Sequence, residues 1–155
     1  MTLAIEDRIF DFITEQVEAI VDEEHPLFGL ELLDSAYARI TKVRGLQVDD
    51  GESDFAPTPG AEEIEEFDGQ VTLVVYRLVE GPDRTQRRAA RADAITIAKE
   101  VAKLFLLDPT MNERVNDSRV LRCLRGWANI NSVPYSIMNV PLIVNETGGR
   151  NAATD

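Results

Sequence analysis

The stretch that most constrains the fold is a long helical pattern at residues 82–107. Its apolar residues recur at helical spacing, and they are Ala90, Ala94, Ile97, Ala98, Val101, Leu104 and Phe105. Asp83 is suited to cap the first turn. Asp108 ends the pattern because a residue that precedes proline is driven out of the helical region. At about 1.5 Å per residue, this helix would be roughly 35 Å long, enough to cross a small sheet.

Four arginines crowd the first turns of this helix. They are Arg84, Arg87, Arg88 and Arg91. The macrodipole favours anions there, and like charges three or four residues apart repel each other. Because the arrangement is locally unfavourable, we expect these arginines to have partners elsewhere and to form a subunit interface. A solvated cationic surface is the alternative.

Weaker patterns on either side of the helix set the fold class. Residues 3–22 predict an amphipathic helix and residues 30–34 a further helical turn. The predicted strands span residues 36–46, 70–79, 119–128 and 134–145. A hairpin connection is expected at 129–133, and Pro141 marks an edge or a bulge. The order predicts an α+β fold with a mostly antiparallel sheet of about four strands and two helices packed on one face.

Residues 47–68 lack a sustained hydrophobic period and are rich in Asp, Glu, Pro and Gly. They are therefore expected to form a long, mobile acidic loop or arm that binds a partner. Its candidate partner-binding residues are Asp49, Asp50, Glu52, Asp54, Phe55, Glu62, Glu63, Glu65, Glu66 and Phe67. A single domain is expected over residues 1–145, followed by a flexible tail at 146–155.

Charge is distributed unevenly along the chain, whose formal net charge is −12. Residues 1–34 hold ten acids and one base, and residues 45–76 hold nine acids and no base. From Arg77 onward there are twelve bases and nine acids. This asymmetry suits head-to-tail self-association, in which one surface meets its complement on the next copy. The total charge argues against a general nucleic-acid binder.

Residue types that carry catalysis are scarce. His25 and Cys123 are the single histidine and cysteine, too few for the usual zinc set. We expect His25 to be solvated or to cap a helix end, Cys123 to be buried, and Trp127 to lie in the core or, alternatively, at an interface. Phosphate-binding glycine loops, nucleophile elbows and paired-histidine metal motifs do not occur in the sequence. We therefore expect no enzyme activity, no cofactor and no bound metal.

The element order and three stretches together resemble the tail terminator (tail completion) proteins of long-tailed bacteriophages and related head–tail connector subunits. The stretches are QVTLVVYRLVE, DRTQRRAARADAI and the hairpin GWANINSV followed by PYSIMNVPLIVNE. The resemblance covers residues 5–145.

This resemblance implies a non-enzymatic subunit of the virion neck that forms a ring, typically a hexamer. The ring would cap the tail-tube protein, stop tube polymerisation and bind the head–tail connector protein, after assembly in the host cytoplasm. DNA would pass through the ring without specific binding, and no membrane would be involved.

Two other classes remain open from the residues themselves. A small anion-binding regulatory α+β domain would use the arginine cluster at the start of the long helix. A metal-dependent hydrolase or nuclease would use the acidic cluster around Glu62 and Glu65.

Overall fold

A computed structural model describes residues 4–33, 40–60 and 66–147, with side chains throughout except at residues 50–55. This part of the chain has an α+β fold with two helices and one mixed sheet. The helices are α1 (Ile5–Glu18) and α2 (Arg84–Leu107). The strands are β1 (Glu31–Leu33), β2 (Arg44–Pro57), β3 (Glu66–Leu78), β4 (Asp117–Val120), β5 (Leu124–Ile130) and β6 (Val133–Thr147).

The sheet runs in the order β1-β2-β3-β6-β4, and β5 also pairs with β6. All pairs are antiparallel except β1 with β2. The expectation of about four antiparallel strands was therefore only partly right. Within the described residues there are six strands. The predicted strand at 119–128 divides into β4 and β5 around a break at 121–123.

Pro141 lies inside the long strand β6, at a point where β6 has a regular ladder on one side only, in partial agreement with its expected place at an edge or a bulge. The backbone N–H of Leu121 donates to the Pro141 carbonyl at 2.9 Å. A strand residue directs its N–H and C=O to the same neighbour. The missing proline donor therefore faces the break between β4 and β5, where no regular ladder is interrupted.

The core lies between one face of the sheet and the two helices. Alternate residues of β3 and β6 are fully buried on that face, including Val71, Leu73, Val140 and Leu142. Phe12 of α1 meets Phe105 of α2 with ring centroids 5.6 Å apart, and both belong to the same buried cluster. Both helices thus pack on one face, as the sequence predicts.

Two short elements near the amino terminus differ from the sequence-based expectation. Residues 30–34 were expected to form a helical turn, but residues 31–33 form β1, parallel to Gly45–Gln47. The strand expected at 36–46 begins only at Arg44, and its residues 36–39 lie outside the described part. Strand β1 and the start of β2 are set by which segments they pair with in the sheet. Local propensity carries no information about this pairing.

The predicted acidic loop at 47–68 is mostly strand where the structure describes it. β2 runs to Pro57 and β3 starts at Glu66, so the two form a long hairpin with a register shift between Asp49 and Asp54. One arm of the hairpin is the first part of β3. The other edge of this arm pairs with β6 up to Thr147. Backbone pairing stabilises the extended form although the side chains show no apolar alternation. We name this segment, residues 48–68, the acidic hairpin.

A buried ion pair fixes the carboxyl end of the described chain. Arg8 of α1 is 3% exposed, and its guanidinium contacts the Glu146 carboxylate and donates to the Arg114 carbonyl at 2.9 Å. Strand β6 therefore extends through Glu146 to Thr147, and the flexible tail predicted from residue 146 is wrong for these two positions. Residues 148–155 lie outside the described part.

Candidate functional site

The site begins where α2 starts. Asp83 and Gln86 form a capping box, in which the Gln86 side-chain oxygen accepts from the Asp83 N–H at 3.2 Å. Gly81 leaves room for this contact, since a Cβ atom there would lie 1.9 Å from the Gln86 Oε1 atom. The capping box fixes the start of α2 at Arg84, one turn before Arg87 and Arg88.

All four predicted interface arginines are exposed. Arg84, Arg87, Arg88 and Arg91 recur at spacings of three and four, so they form one stripe along α2, which we name the arginine stripe. Within the described residues, none of the four forms an ion pair. The stripe therefore presents its charge to solvent or to another molecule.

Besides Asp83, which belongs to the capping box, two carboxylates near the stripe in sequence are held by arginines of the sheet. Asp93 lies 2.6 Å from Arg77 and 3.2 Å from Arg44, which both come from the end of the sheet next to α2. Glu80 lies 2.9 Å from Arg77. Two arginines of the sheet thus use the carboxylates that would otherwise neutralise the stripe.

A cleft of about 370 Å³ opens beside the stripe, at the end of the sheet where β3 leads into α2. Its walls include Pro82, Trp127, Pro134 and Tyr135. The Arg87 guanidinium lies 4.8 Å from the centroid of the Trp127 ring, a cation–π contact. We name this feature the arginine–tryptophan cleft. It combines a flat aromatic surface with uncompensated positive charge.

Trp127 is 44% exposed, which contradicts its expected place in the core. It stands on β5 opposite Ser136, on the sheet face that carries the helices, but beyond the edge of the core. Arg125 occupies the same face two residues earlier and is also exposed. The sequence signal available was the presence of Arg125 two residues before Trp127, since both residues share one strand face and an arginine is not typical of a core face.

The predicted partner-binding acids are distributed along the acidic hairpin. Asp49, Glu66 and Phe67 are half-buried. Asp50, Glu52, Asp54 and Phe55 belong to β2, whose side chains are not described at these positions. Glu62, Glu63 and Glu65 lie outside the described residues. Of these acids, the two whose side chains are described, Asp49 and Glu66, form no ion pair with the arginine stripe of the same molecule.

The single histidine, the single cysteine and Tyr76 lie outside the cleft, in contact with neighbouring parts of the fold. The His25 Nδ1 atom accepts from the Leu27 N–H at 3.1 Å, which is a local contact within the turn that follows α1 and not a helix cap. Burial raises the pKa of the Cys123 thiol. Burial, and then the Asp49 carboxylate, raise the pKa of Tyr76, whose hydroxyl donates to the Gln47 side-chain oxygen at 2.8 Å. Across residues 4–33, 40–60 and 66–147, no group of three or more potential metal ligands comes together.

The groups that the site exposes are the charged side chains of the arginine stripe and the ring of Trp127. None of the helices in the described part combines the length and apolar character that crossing a membrane requires. Comparison of the sequence with protein-family models and with curated proteins finds no match.

Proposed function

We propose that this chain is a structural subunit of the neck of a phage tail. Copies of it assemble into a ring that terminates tail-tube polymerisation and joins the tail to the head connector. The resemblance of its strand, long-helix and hairpin stretches to tail terminator proteins supports this assignment. The α+β fold, with a helix-covered sheet and an exposed arginine stripe, is compatible with it.

The observation that carries the proposal is the separation of basic and acidic residues to opposite ends of the sheet. The arginine stripe lies where β3 ends, and the acidic hairpin lies where β3 begins. The exposed Asp7 and Asp11 of α1 lie towards the hairpin end, because Arg8 between them contacts Glu146, next to Phe67. Ends of opposite charge favour head-to-tail contacts, which close into rings when the rotation between neighbours permits.

An acidic ring is also suited to the passage of DNA. The net charge of −12 per subunit repels the phosphate backbone, so DNA would pass through the lumen without being retained. Specific DNA binding would instead need a continuous basic surface facing the lumen.

The capping box weighs against the alternative of an anion-binding regulatory domain. The Asp83 carboxylate accepts from the backbone of the first turn of α2, where a bound anion would have to lie. A carboxylate in that place repels a second anion. Thermal stabilisation by inorganic phosphate would favour the alternative, and an unchanged melting temperature would favour the structural role.

Solution mass tests the assembly. Light scattering on the purified chain should give a mass several times the 17.3 kDa of one chain, and six times for a hexamer. Negative-stain images of the same sample should show closed rings. A monomer at micromolar concentration would contradict the proposal.

The role in the virion is tested in the phage that encodes the chain. Deletion of the gene should leave filled heads without joined tails and tail tubes of uncontrolled length, and both should be restored by the gene supplied on a plasmid. Infectious particles with tails of normal length in its absence would rule out a terminator.

A further inference from the structure

We infer that the arginine–tryptophan cleft of one copy is the docking site for a turn of the next copy that follows α1. We name this segment, residues 18–24, the acidic turn. The inference rests on the proposed function, because it names two surfaces that would join neighbouring subunits of the ring.

The cleft is suited to a partner that combines negative charge with an apolar side chain. Trp127 provides an exposed aromatic surface, and Pro82 and Pro134 provide rigid apolar walls. The arginine stripe adds exposed positive charge along one side, and Arg125 adds more on β5. Such a surface gives affinity through its apolar centre and gives orientation through the surrounding charges.

The acidic turn has both of these properties. Val21 is 89% exposed, more than the other exposed large apolar side chains of the described residues. It is flanked in sequence by four exposed acids, Glu18, Asp22, Glu23 and Glu24. None of these acids forms an ion pair within residues 4–33, 40–60 and 66–147. The turn thus presents one apolar side chain among negative charges.

Other described surfaces have only one of the two properties. Leu107 is 85% exposed, but the carboxylate of the neighbouring Asp108 already accepts two hydrogen bonds from the loop that follows α2. Asp7 and Asp11 are exposed near the start of α1, but the apolar residues of that segment are buried in the core or packed against it. The need for charge and an apolar contact together favours the acidic turn.

The acidic turn is held in shape by the rest of the fold. The Asp22 carboxylate accepts from the Glu24 N–H at 3.0 Å. A few residues later Leu27 is fully buried in the core, and the Arg44 guanidinium donates to the Pro26 carbonyl. A segment that is already ordered loses little conformational freedom on binding.

The acidic turn and the cleft lie at opposite edges of the sheet. The turn leads into β1 and is held by Arg44 of β2, whereas Trp127 stands on β5. Four strand spacings of about 4.8 Å separate β1 from β5, roughly 19 Å in all, and α2 packs over β3 and β6 between them. A turn anchored in this way does not reach the cleft of its own molecule.

Opposite edges meet when copies stand side by side. Arg44 lies opposite Arg77 near the end of β3, so the acidic turn is at the same end of the sheet as the start of α2. Charge is therefore separated across the sheet as well as along it. A contact between two different surfaces repeats from copy to copy and closes into a ring when the rotation permits.

The experiment uses two complementary variants of the full chain. The cleft variant R87E/W127A keeps an intact acidic turn, and the turn variant V21S/E23Q/E24Q keeps an intact cleft. Each should be a folded monomer by circular dichroism and light scattering, at a concentration at which the unmodified chain forms the ring. Mixed in equal amounts, they should form a dimer and nothing larger, because only one intact cleft and one intact turn can meet.

Fluorescence reports on the cleft directly. Trp127 is the single tryptophan of the chain, so all tryptophan emission in the mixture comes from the turn variant. This emission should shift to shorter wavelength on mixing, as the indole ring leaves water. Val21→Ser alone should raise the dissociation constant about tenfold, as expected when one aliphatic side chain is no longer buried. Dilution of the unmodified chain needs no substitution, and its emission should shift to longer wavelength as the ring dissociates.

A matched control separates the acidic turn from general effects of charge and apolar surface. The variant D7N/D11N/L107S also removes two exposed acids and one apolar side chain of similar exposure. It should assemble like the unmodified chain. Loss of assembly equal to that of the turn variant would overturn the docking inference.

The failure of the inference is distinguishable from the failure of the proposed function. Assembly by the turn variant alone, unchanged emission on mixing, or unchanged emission when the ring dissociates would overturn the docking inference and leave the ring proposal intact. A monomeric unmodified chain would instead overturn the ring proposal itself, and the docking inference with it.

Discussion

At the scale of single residues, Arg8 shows how one basic residue in an acidic segment acquires a structural role. It is the only base among the first 34 residues, and the fold buries it between α1, the Arg114 carbonyl and Glu146. A buried guanidinium is costly unless its charge is paired, and Glu146 supplies the opposite charge. The sequence shows the isolated base, but Glu146 is 138 positions away, so the pairing is invisible without the fold.

Replacement of Arg8 should therefore be costly. Arg8→Met leaves the Glu146 carboxylate without its partner and should lower the free energy of unfolding by about 3 kcal/mol, measured by urea denaturation. The double variant R8M/E146M should recover part of this loss, because an apolar pair needs no charge compensation. Lys103→Met, which removes an exposed pair with Glu100, is the control and should change stability by less than about 0.5 kcal/mol. A similar loss of stability in Arg8→Met and Lys103→Met would contradict the structural role of Arg8.

At the scale of elements, the helices follow from local sequence and the strands only in part. Helix α2 starts after Asp83 and ends at Leu107, as its caps and apolar spacing predict. The turn between β5 and β6 also follows the expected hairpin, with Asn131 and Ser132 both at positive φ. Strand β1 and the outer part of β2 were missed, because their stability comes from pairing with distant neighbours.

Helix α1 has an incomplete start, which gives a test of its local stability. Its N-cap position holds Ala4, which has the extended backbone of a cap but no side-chain acceptor. Ala4→Ser should raise the free energy of unfolding by about 1 kcal/mol, because a serine hydroxyl would accept from the first turn. Ala19→Ser, at the other end of α1, is the control and should not stabilise. Equal effects of the two substitutions in thermal unfolding would contradict the assigned boundary.

At the scale of the whole molecule, charge is sorted by the fold. The arginine stripe is at one end of the sheet and the acidic hairpin at the other, while Asp93 and Glu80 are held by Arg44 and Arg77. These internal ion pairs thus compensate the charges of Arg44 and Arg77. They leave the arginine stripe without an ion-pair partner in the described part of the chain. This arrangement favours association between copies over neutralisation within one copy.

Association through such surfaces should depend on salt. Raising the ionic strength from about 0.05 M to about 0.5 M shortens the screening length several-fold, so the mass measured by light scattering at fixed concentration should fall. The charge reversal R87E/R88E should weaken assembly most at low salt. The control K99E/K103E changes the same amount of charge further along α2, outside the stripe, and should have little effect. A mass that does not change with salt would contradict an electrostatic interface.

The candidate site was predicted in part. The four arginines were identified from their conflict with the helix dipole, and the structure places all of them in one exposed stripe. Trp127 was expected in the core or, alternatively, at an interface, and the structure leaves it 44% exposed beside Arg87. The cleft itself joins α2 to the β5–β6 hairpin, some forty positions apart along the chain, and only the folded sheet brings Arg87 and Trp127 together.

The sequence by itself determined the helices, the central strand β3, the exclusion of common catalytic motifs and the division of charge along the chain. These properties depend on spacing and composition within short windows. The tertiary structure decided the partners: Arg8 with Glu146, the acidic hairpin with β3, the break in the sheet with Pro141, and Arg87 with Trp127. Such contacts depend on strand pairing between distant segments, whose free energy is set by the whole sheet and is not encoded in any one window.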